Sequence, residues 1–331
     1  MSSKNTIKEV AKLAGVSIAT VSRFLNNPSS LKKENRSKVE KAVKDLDYRP
    51  FIFARRLAGG RLNIFGLIIP GYEGIFYSFY AMEMIRGVSA ALNDKEIDLH
   101  LHVFWKKNNF KDSLVDGVIF ADVIENEKQF ERLLKDKIPI VVLNKKIEEE
   151  NVSYVTINNF KGAYEATEFL IHHGHKRIAH LTGTLFVQCS QERLEGYKSA
   201  LRKNGININK DYIKGTNFSR KEARERMEEL FGLKDVPTAV FCCSDDVASE
   251  VLSFCEERKI NVPKDLSVIG FDDNPQCLYG NLMLTTVRQP FGEMTQLGVD
   301  ILEELVNGKT EQKKVILDTE LIVRDTVSFI K

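Results

Sequence analysis

The sequence predicts an α/β protein: a small all-α head, a short linker, and a large two-lobed core built on parallel sheets. Three observations predict it. The first 26 residues read as two short helices around a tight turn. Basic charge is concentrated in the first 61 residues. From residue 62 onward, apolar β-branched runs alternate with helical stretches.

The head comes first. Thr6 stands as an N-cap with Glu9 three residues on, the spacing of a capping box. Ile7, Val10, Ala11 and Ala14 then share one helical face. Gly15 ends that helix, Val16 turns inward, and Ser17 caps the next one. Val21 and Leu25 form the second helix's apolar side. Its opposite side carries Ser17, Ile18, Thr20, Ser22 and Arg23, small or hydrogen-bonding groups around one cation. Such a helix suits the DNA major groove. An ordinary helical hairpin would show the same apolar pattern, and charge is what separates the two. Residues 1–61 hold 14 Lys and Arg against 5 Asp and Glu, a net of +9. The whole chain is +2, which leaves −7 on residues 62–331. A basic head on an acidic body fits phosphate binding driven by counterion release.

A third helix is expected over residues 32–46, with Val39, Ala42, Val43 and Leu46 inward. Tyr48-Arg49-Pro50 ends it, because the residue before proline avoids helix. Residues 51–61 carry Arg55, Arg56, Leu57 and a Gly59-Gly60 stop. Alone they are too short to form a stable helix in water, so they suit a segment that folds on docking.

In the core, strands are expected at 64–70, 97–103, 118–121, 138–143, 152–157, 177–181, 239–243, 266–271 and 315–322. Helices are expected at 82–92, 162–173, 191–204, 220–231, 246–259 and 293–307. Alternation of this kind implies parallel sheets covered on both faces. About 270 residues exceed one such sheet, hence two lobes. Ligands of this architecture sit in the cleft at the carboxyl ends of the strands.

Several motifs are specific. Val16-Ser17-Ile18-Ala19-Thr20-Val21-Ser22-Arg23 runs into Leu25-Asn26, and Tyr48-Arg49-Pro50 precedes Ala54-Arg55-Arg56-Leu57. Further on stand Gly174-His175-Lys176-Arg177-Ile178-Ala179 and Arg193-Leu194-Glu195-Gly196-Tyr197. Ser267-Val268-Ile269-Gly270-Phe271-Asp272-Asp273 and Leu284-Thr285-Thr286-Val287-Arg288-Gln289-Pro290 follow. Over essentially its full length the chain resembles the lactose-repressor (LacI/GalR) family of bacterial transcription regulators.

The resemblance implies a helix-turn-helix domain over 1–50, a hinge helix over 51–61, and an effector-binding and dimerisation core over 62–331. Ile18, Ala19, Thr20 and Arg23 would face bases or phosphates, with Thr6, Ser17, Ser22, Asn26 and Tyr48 beside them. Ala54, Arg55, Leu57 and Ala58 would enter the minor groove. Two hinge helices, one per subunit of a homodimer, would pair on a pseudo-palindromic double-stranded DNA operator, with Leu57 wedged between base steps. Phe51 stands where the family often has Asn.

The core would resemble periplasmic sugar-binding proteins, with the chain crossing between lobes near 158–162, 289–291 and 321–324. One lobe would comprise about 62–160 and 291–321, the other about 161–290 and 322–331. For the effector, Arg193 matches an arginine that grips ligand oxygens with its planar fork, and Asp272 an acid that accepts hydrogen bonds. Phe218 would pack on the ligand, Phe76 and Tyr77 would wall the pocket, and Ser244 and Asp246 would line the second lobe. Asn144, Ile157, Cys189, Ser190, Phe291 and Met294 are further candidates. Asn144 replaces a common aspartate, and Gly71 and Gly74 replace polar residues. Val187 is apolar where purine-binding relatives carry arginine, which points to a neutral sugar. Residues 102–117 are short where relatives place a longer helix, and Trp105-Lys106-Lys107-Asn108-Asn109 form a polar loop. The chain ends soon after Thr326, so a tetramer built on a C-terminal coiled coil is not expected.

The remaining signals are bland. His172, His173, His175 and His180 show no helical metal-ligand spacing. Five cysteines, an odd number mostly in apolar runs, fit a reducing cytoplasm. No signal peptide or transmembrane run is seen, which argues against a periplasmic receptor. No phosphate-cradling glycine loop, nucleophile elbow or acid–base pair points to an enzyme, and no cofactor or metal is expected. The expected function is a DNA-binding regulator, a repressor of carbohydrate-utilisation genes under a small-molecule, sugar-like effector. Two other readings stay open at this point. One is a global catabolite-type regulator whose core binds a phosphorylated partner protein. The other is a sugar-binding receptor without DNA function. Leu57→Ala is expected to weaken specific operator binding more than binding to random-sequence DNA, because the wedge is lost. Competition electrophoresis against both DNAs checks this, and equal losses would contradict it.

Overall fold

The computed structural model describes residues 6–26, 30–48, 61–72, 74–105, 109–279 and 282–330. Phe51, Ala54, Arg55, Leu57 and Ala58 of the expected hinge lie outside them, as does the side chain of Asn26. The chain divides into two compact units, Met1–Ile64 with Lys111–Asp116, and Phe65–Phe110 with Gly117–Lys331.

The first unit is helical. α1 (Ile7–Ala14), α2 (Ile18–Asn26) and α3 (Lys33–Asp45) follow in order. The amide and hydroxyl of Thr6 both donate to Glu9 Oε2, at 2.5 and 3.0 Å, which closes the capping box. Gly15 takes φ +65°, a conformation that costs other residues more, and so turns the chain into α2. Ser17 Oγ accepts from the Thr20 amide at 3.2 Å, capping α2. Val10, Ala11, Ala14, Val21, Val39, Ala42 and Tyr48 form the core, with Ile7, Val16, Phe24, Leu25, Val43 and Leu46 packed around it. At its end, the Leu62 and Asn63 amides donate to the Asp116 carboxylate at 2.7–3.0 Å.

The second unit carries two six-stranded sheets. The first holds β1 (Ile64–Pro70), β2 (Asp98–Phe104), β3 (Gly117–Ala121), β4 (Ile140–Leu143), β5 (Ser153–Ile157) and β11 (Lys314–Leu317), in the order β11-β5-β4-β3-β1-β2. The second holds β6 (Ile178–Thr182), β7 (Ile213–Gly215), β8 (Ala239–Cys242), β9 (Ser267–Asp272), β10 (Thr285–Arg288) and β12 (Glu320–Ile322), in the order β12-β10-β9-β8-β6-β7. Registers such as Phe65↔Gly117 and Ile178↔Ala239 are parallel, whereas β10 and β12 pair antiparallel. Both sheets are apolar on both faces, as covered parallel sheets must be. In β8, Ala239 and Phe241 face one core while Val240 and Cys242 face the other.

Seven helices of this unit are described. They are α4 (Phe79–Asn93), α5 (Glu127–Lys135), α6 (Asn159–His172), α7 (Gln188–Lys203), α8 (Arg220–Phe231), α9 (Asp245–Arg258) and α10 (Phe291–Val306). After β5 the chain enters α6, which packs on α7 and the second sheet. After β10 it returns through α10, which packs on α4 and the first sheet. The third passage differs from expectation. The apolar pattern predicts one strand over 315–322, with the crossing at 321–324. These residues instead form β11 in one sheet and β12 in the other, so the chain passes through Asp318-Thr319, a polar pair that interrupts the apolar run.

Two strands escape the sequence pattern. β7 is three residues long, and β10 is Thr285-Thr286-Val287-Arg288, too polar to read as a buried strand. Between β2 and β3 the described residues form only a 3-10 turn, Asp112–Leu114. In this stretch, where a longer helix is expected of relatives, the buried Phe110 ring covers Gly66, and a Cβ at Gly66 would lie 2.6 Å from it.

The histidines are structural pins. His175 contacts Thr238 and Ser267 hydroxyls at 3.0 Å and the Ser328 carbonyl at 3.1 Å, which ties down the C-terminal segment. His180 is buried on Phe241, and burial lowers its pKa to about 4, so it stays neutral. The five cysteines are free and buried. Among the described residues no group of three His, Cys, Asp or Glu could hold a metal ion, and no helix is long and apolar enough to cross a membrane.

Gly196 lets α7 approach α6 closely: a Cβ there would strike the Phe160 carbonyl oxygen, and the Ala163 methyl at 3.0 Å. Backbone cannot retreat as a side chain can. Gly196→Ala is therefore expected to destabilise the core by about 1–3 kcal/mol, read as a lowered urea midpoint.

Candidate functional site

Two surfaces are candidates. On the head, Ser17, Ile18, Ala19 and Arg23 are exposed on α2, with Thr20 and Ser22 half-buried beside them. Apolar Val21 points inward, so the polar face is left outward by the helical period. The Ser17 and Thr20 hydroxyls bond each other at 2.9 Å, which fixes both at the start of the helix. Thr6 is exposed and held by Glu9. Tyr48 is placed differently from the sequence expectation. It is a buried member of the head core, and burial raises its hydroxyl pKa.

The second surface is a cavity of about 880 Å³ at the carboxyl ends of the strands of both sheets. Of the sequence candidates, Tyr77, Asn144, Cys189, Arg193, Phe218, Ser244, Asp246 and Asp272 line it. Phe76, Ile157, Ser190, Phe291 and Met294 are not among its lining residues. Phe76 is exposed, and Ile157 and Met294 are core. Phe291 packs edge-on against Phe79 at 5.7 Å. Ser190 is buried beneath Gly183, whose missing Cβ leaves room for the Phe218 ring. Sequence reasoning missed Tyr72, Tyr80, Asp122, Phe186 and Gln289, which also line the cavity. Asp122 could have been found, because it directly follows the apolar run of β3.

Backbone geometry delivers these side chains. Asp122 (φ +84°), Asn144 (φ +63°), Phe218 (φ +59°) and Asp272 (φ +131°) all take positive φ at or near strand ends. Such conformations are unfavourable for side-chain-bearing residues and gather at functional sites.

Arg193 is 3% exposed. Its Nε donates to Asn159 Oδ1 at 2.9 Å, its Nη1 donates to the Cys243 carbonyl at 2.6 Å, and its guanidinium lies 3.6 Å over the Phe271 ring. Asp272 Oδ1 accepts from Gln289 Nε2 at 2.5 Å, which aims the amide oxygen Oε1 away from that bond. Burial holds the Asp272 carboxyl well above the usual range, Asp245 adds to the rise, and Arg193 opposes it. Asp245 lies behind, accepting from Thr286 Oγ1 (2.6 Å), the Asn274 amide (2.8 Å) and the Cys277 thiol (3.0 Å). Asp246, at the start of α9, is raised by burial, against the pull of Arg220 and of the Phe79 amide of the other lobe.

Among the described residues, Tyr80 Oη, Asn144 Oδ1 and Gln289 Oε1 are buried cavity-lining atoms without a close hydrogen-bond partner, Tyr80 and Asn144 lying near enough only for a weak interaction with each other. Buried polar atoms are nearly always partnered, so these three are positions that a ligand's hydroxyls would complete. A cleft wall of carboxyl, amide and phenol groups flanked by aromatic rings can orient a polar ligand by hydrogen bonds.

Lobe-to-lobe contacts border the cavity. The Lys146 amide donates to Gln188 Oε1 at 2.7 Å, and Lys146 Nζ pairs with Glu192 at 2.7 Å. The buried Asp122 carboxyl also has a consequence for stability. Burial raises its pKa from 3.8 to about 6, with Lys145 opposing. The folded state thus holds the proton more tightly than the unfolded chain. This contribution is complete below pH 3.8 and is lost as pH rises through about 6. Asp122→Asn is expected to raise the urea midpoint at pH 7.5 but hardly at pH 4.5, with a difference of at most about 3 kcal/mol.

Known families match both parts of the chain. The family described as "Bacterial regulatory proteins, lacI family" matches residues 6–50, and "Periplasmic binding protein-like domain" matches residues 167–327. The chain is 34% identical to the "Probable HTH-type transcriptional repressor ExuR" of Bacillus subtilis (strain 168), covering 97% of this chain and 98% of that one. It is 33% identical to "Catabolite control protein A" of Priestia megaterium, covering 94% and 95%. Among solved structures, it matches a "transcriptional regulator CelR-cellobiose complex" with a TM-score of 0.73 at 27% identity, covering 97% and 99%. A groove-suited helix on a basic head, an α/β core with a lined cleft, and identity above 30% along the whole chain lead to one assignment: this protein belongs to the lacI family of bacterial regulatory proteins, the DNA-binding regulators of transcription.

Proposed function

We propose that the chain is a repressor of carbohydrate-utilisation genes that binds a pseudo-palindromic operator as a homodimer and answers to a small-molecule effector in the core cleft. Residues 1–50 form the DNA-reading domain, 51–61 the hinge helix, and 62–331 the effector and dimerisation core. Ile18, Ala19, Thr20 and Arg23 read the operator, and Arg193 and Asp272 hold the effector. The protein works in the cytoplasm, where its DNA is.

One observation carries the effector half of this reading: buried polar atoms of Tyr80, Asn144 and Gln289 that lack close hydrogen-bond partners line one cavity. The similar regulator solved as a complex with cellobiose supports a sugar-like ligand. Arg193 binds through what its two engaged nitrogens leave over, so it both floors the cleft and touches the ligand. Ligand control follows from differential affinity: a ligand that touches both lobes favours the closure state in which both sets of contacts are made.

The test is a genomic DNA pull-down with purified protein at near-physiological salt. Enrichment of a short pseudo-palindrome beside sugar-transport or glycosidase genes is expected, and absence of any enriched site would contradict the reading. Asp272→Asn keeps the shape and exchanges the carboxyl for an amide with a fixed donor. It is expected to weaken the effector's influence on operator binding about tenfold or more while effector-free operator affinity stays near wild type. A fluorescence-anisotropy titration of labelled operator, with and without effector, measures both.

A further inference from the structure

We infer that the effector is an uncharged, hydroxyl-rich molecule longer than one sugar ring, with its outer ring held at the mouth of the cleft between Tyr77 and Phe186. This rests on the reading that the cleft is the effector site.

Charge comes first. Among the described lining residues the acids are Asp122, Glu125, Asp246 and Asp272, and the cations are Arg193 and Arg220. Both arginines are partly engaged already. Arg193 spends Nε on Asn159 and Nη1 on the Cys243 carbonyl, and Arg220 pairs with Glu250 at 3.3 Å. Burial already pushes the Asp122, Asp246 and Asp272 carboxyls upward, so the cleft resists negative charge, and a carboxylate or phosphate ligand would add more of it beside only two partly engaged cations. A neutral ligand meets no such cost.

Donor and acceptor chemistry agrees. Asn144 Oδ1 and Gln289 Oε1 are acceptors, and Tyr80 Oη can donate or accept. Hydroxyl groups, which do both, complete this set. Anionic oxygens, which only accept, complete at most one member of it.

Length comes from volume and from the mouth. A volume of about 880 Å³ is near the upper end of small-molecule sites. Three of its lining residues are exposed aromatics: Tyr77 (92%), Phe186 (71%) and Tyr72 (48%). Exposed apolar groups gathered on one groove mark a binding surface. Tyr77 closes the 3-10 turn Ile75–Tyr77 of the first lobe, while Phe186 sits between β6 and α7 of the second. Each lobe thus presents a flat ring at the entrance. The apolar C–H face of a sugar ring stacks on such rings while its rim of hydroxyls stays in water. The polar atoms hold one unit inside, and the aromatic pair holds the next.

The test is isothermal titration calorimetry of the full-length protein. The probes are glucose and galactose, then cellobiose, lactose and maltose, then galacturonate and glucose 6-phosphate. At least one neutral disaccharide is expected to bind about tenfold more tightly than either monosaccharide, and more tightly than both anions. Phe186→Ala and Tyr77→Ala should each raise the disaccharide Kd about fivefold while changing monosaccharide binding little. Both side chains are exposed, so the variants are expected to fold, and circular dichroism checks this. Tighter binding of either anion than of every neutral probe would overturn the inference. So would absence of binding by all three disaccharides, or equal effects of the variants on one-ring and two-ring ligands. Operator binding by the wild-type protein, measured in the same buffer, is a separate readout: its failure would count against the regulator, not against the ligand class.

Discussion

The cleft depends on how one buried cation is held. Arg193 projects from α7, and the groups that satisfy it come from three other places: Asn159 at the start of α6, the carbonyl of Cys243 just after β8, and the ring of Phe271 in β9. A guanidinium taken out of water costs several kcal/mol unless hydrogen bonds and favourable charge replace the solvent. Each of those elements must therefore be in place before the arginine can be. Asn159 lies directly after the passage from the first sheet, so the same side chain that floors the cleft also fixes where the chain leaves one lobe for the other. Gly196, one turn along α7, allows the helix pair to close tightly enough for this reach.

Around that fixed point the two lobes, which share buried apolar core, also make directional polar contacts. Lys146 meets Gln188 and Glu192 on one side, and Asp246 faces the amide of Phe79 on another. The contacts at Lys146 involve exposed or half-buried groups, so each is individually weak. Weak directional contacts suit an equilibrium that a ligand has to shift.

Much of this was legible in the sequence. The apolar runs at β1, β3, β5, β6, β8 and β9 are long and β-branched, and periodicity finds such segments. The capping box of α1 and the glycine after it are local, so they too could be read directly. What escaped was short or polar. β7 is three residues at a sheet edge, and β10 carries two threonines, which are hidden by its neighbours and not by its composition. In the site, Arg193 and Asp272 were legible because they sit in motifs. Tyr80, on the first turn of α4, lines the cleft only because two sheets converge there, which no spacing along the chain records, while Gln289 sits in a motif that did not by itself assign it to the cleft. Phe291 and Ile157 show the reverse case, in which a position beside the site is spent on packing.

The passage through Asp318-Thr319 reaches beyond topology. β11 is the edge strand next to β5, and just past this polar pair the antiparallel β12 closes the opposite sheet beside β10. A single stretch near the C-terminus thus hems both sheets. Exposed strand edges are templates for pairing with other chains. A frameshift or proteolytic cut just before Lys314 would bare Ser153–Ile157 and Thr285–Arg288 together, so even a late truncation would turn a discrete regulator into two open seams prone to self-association.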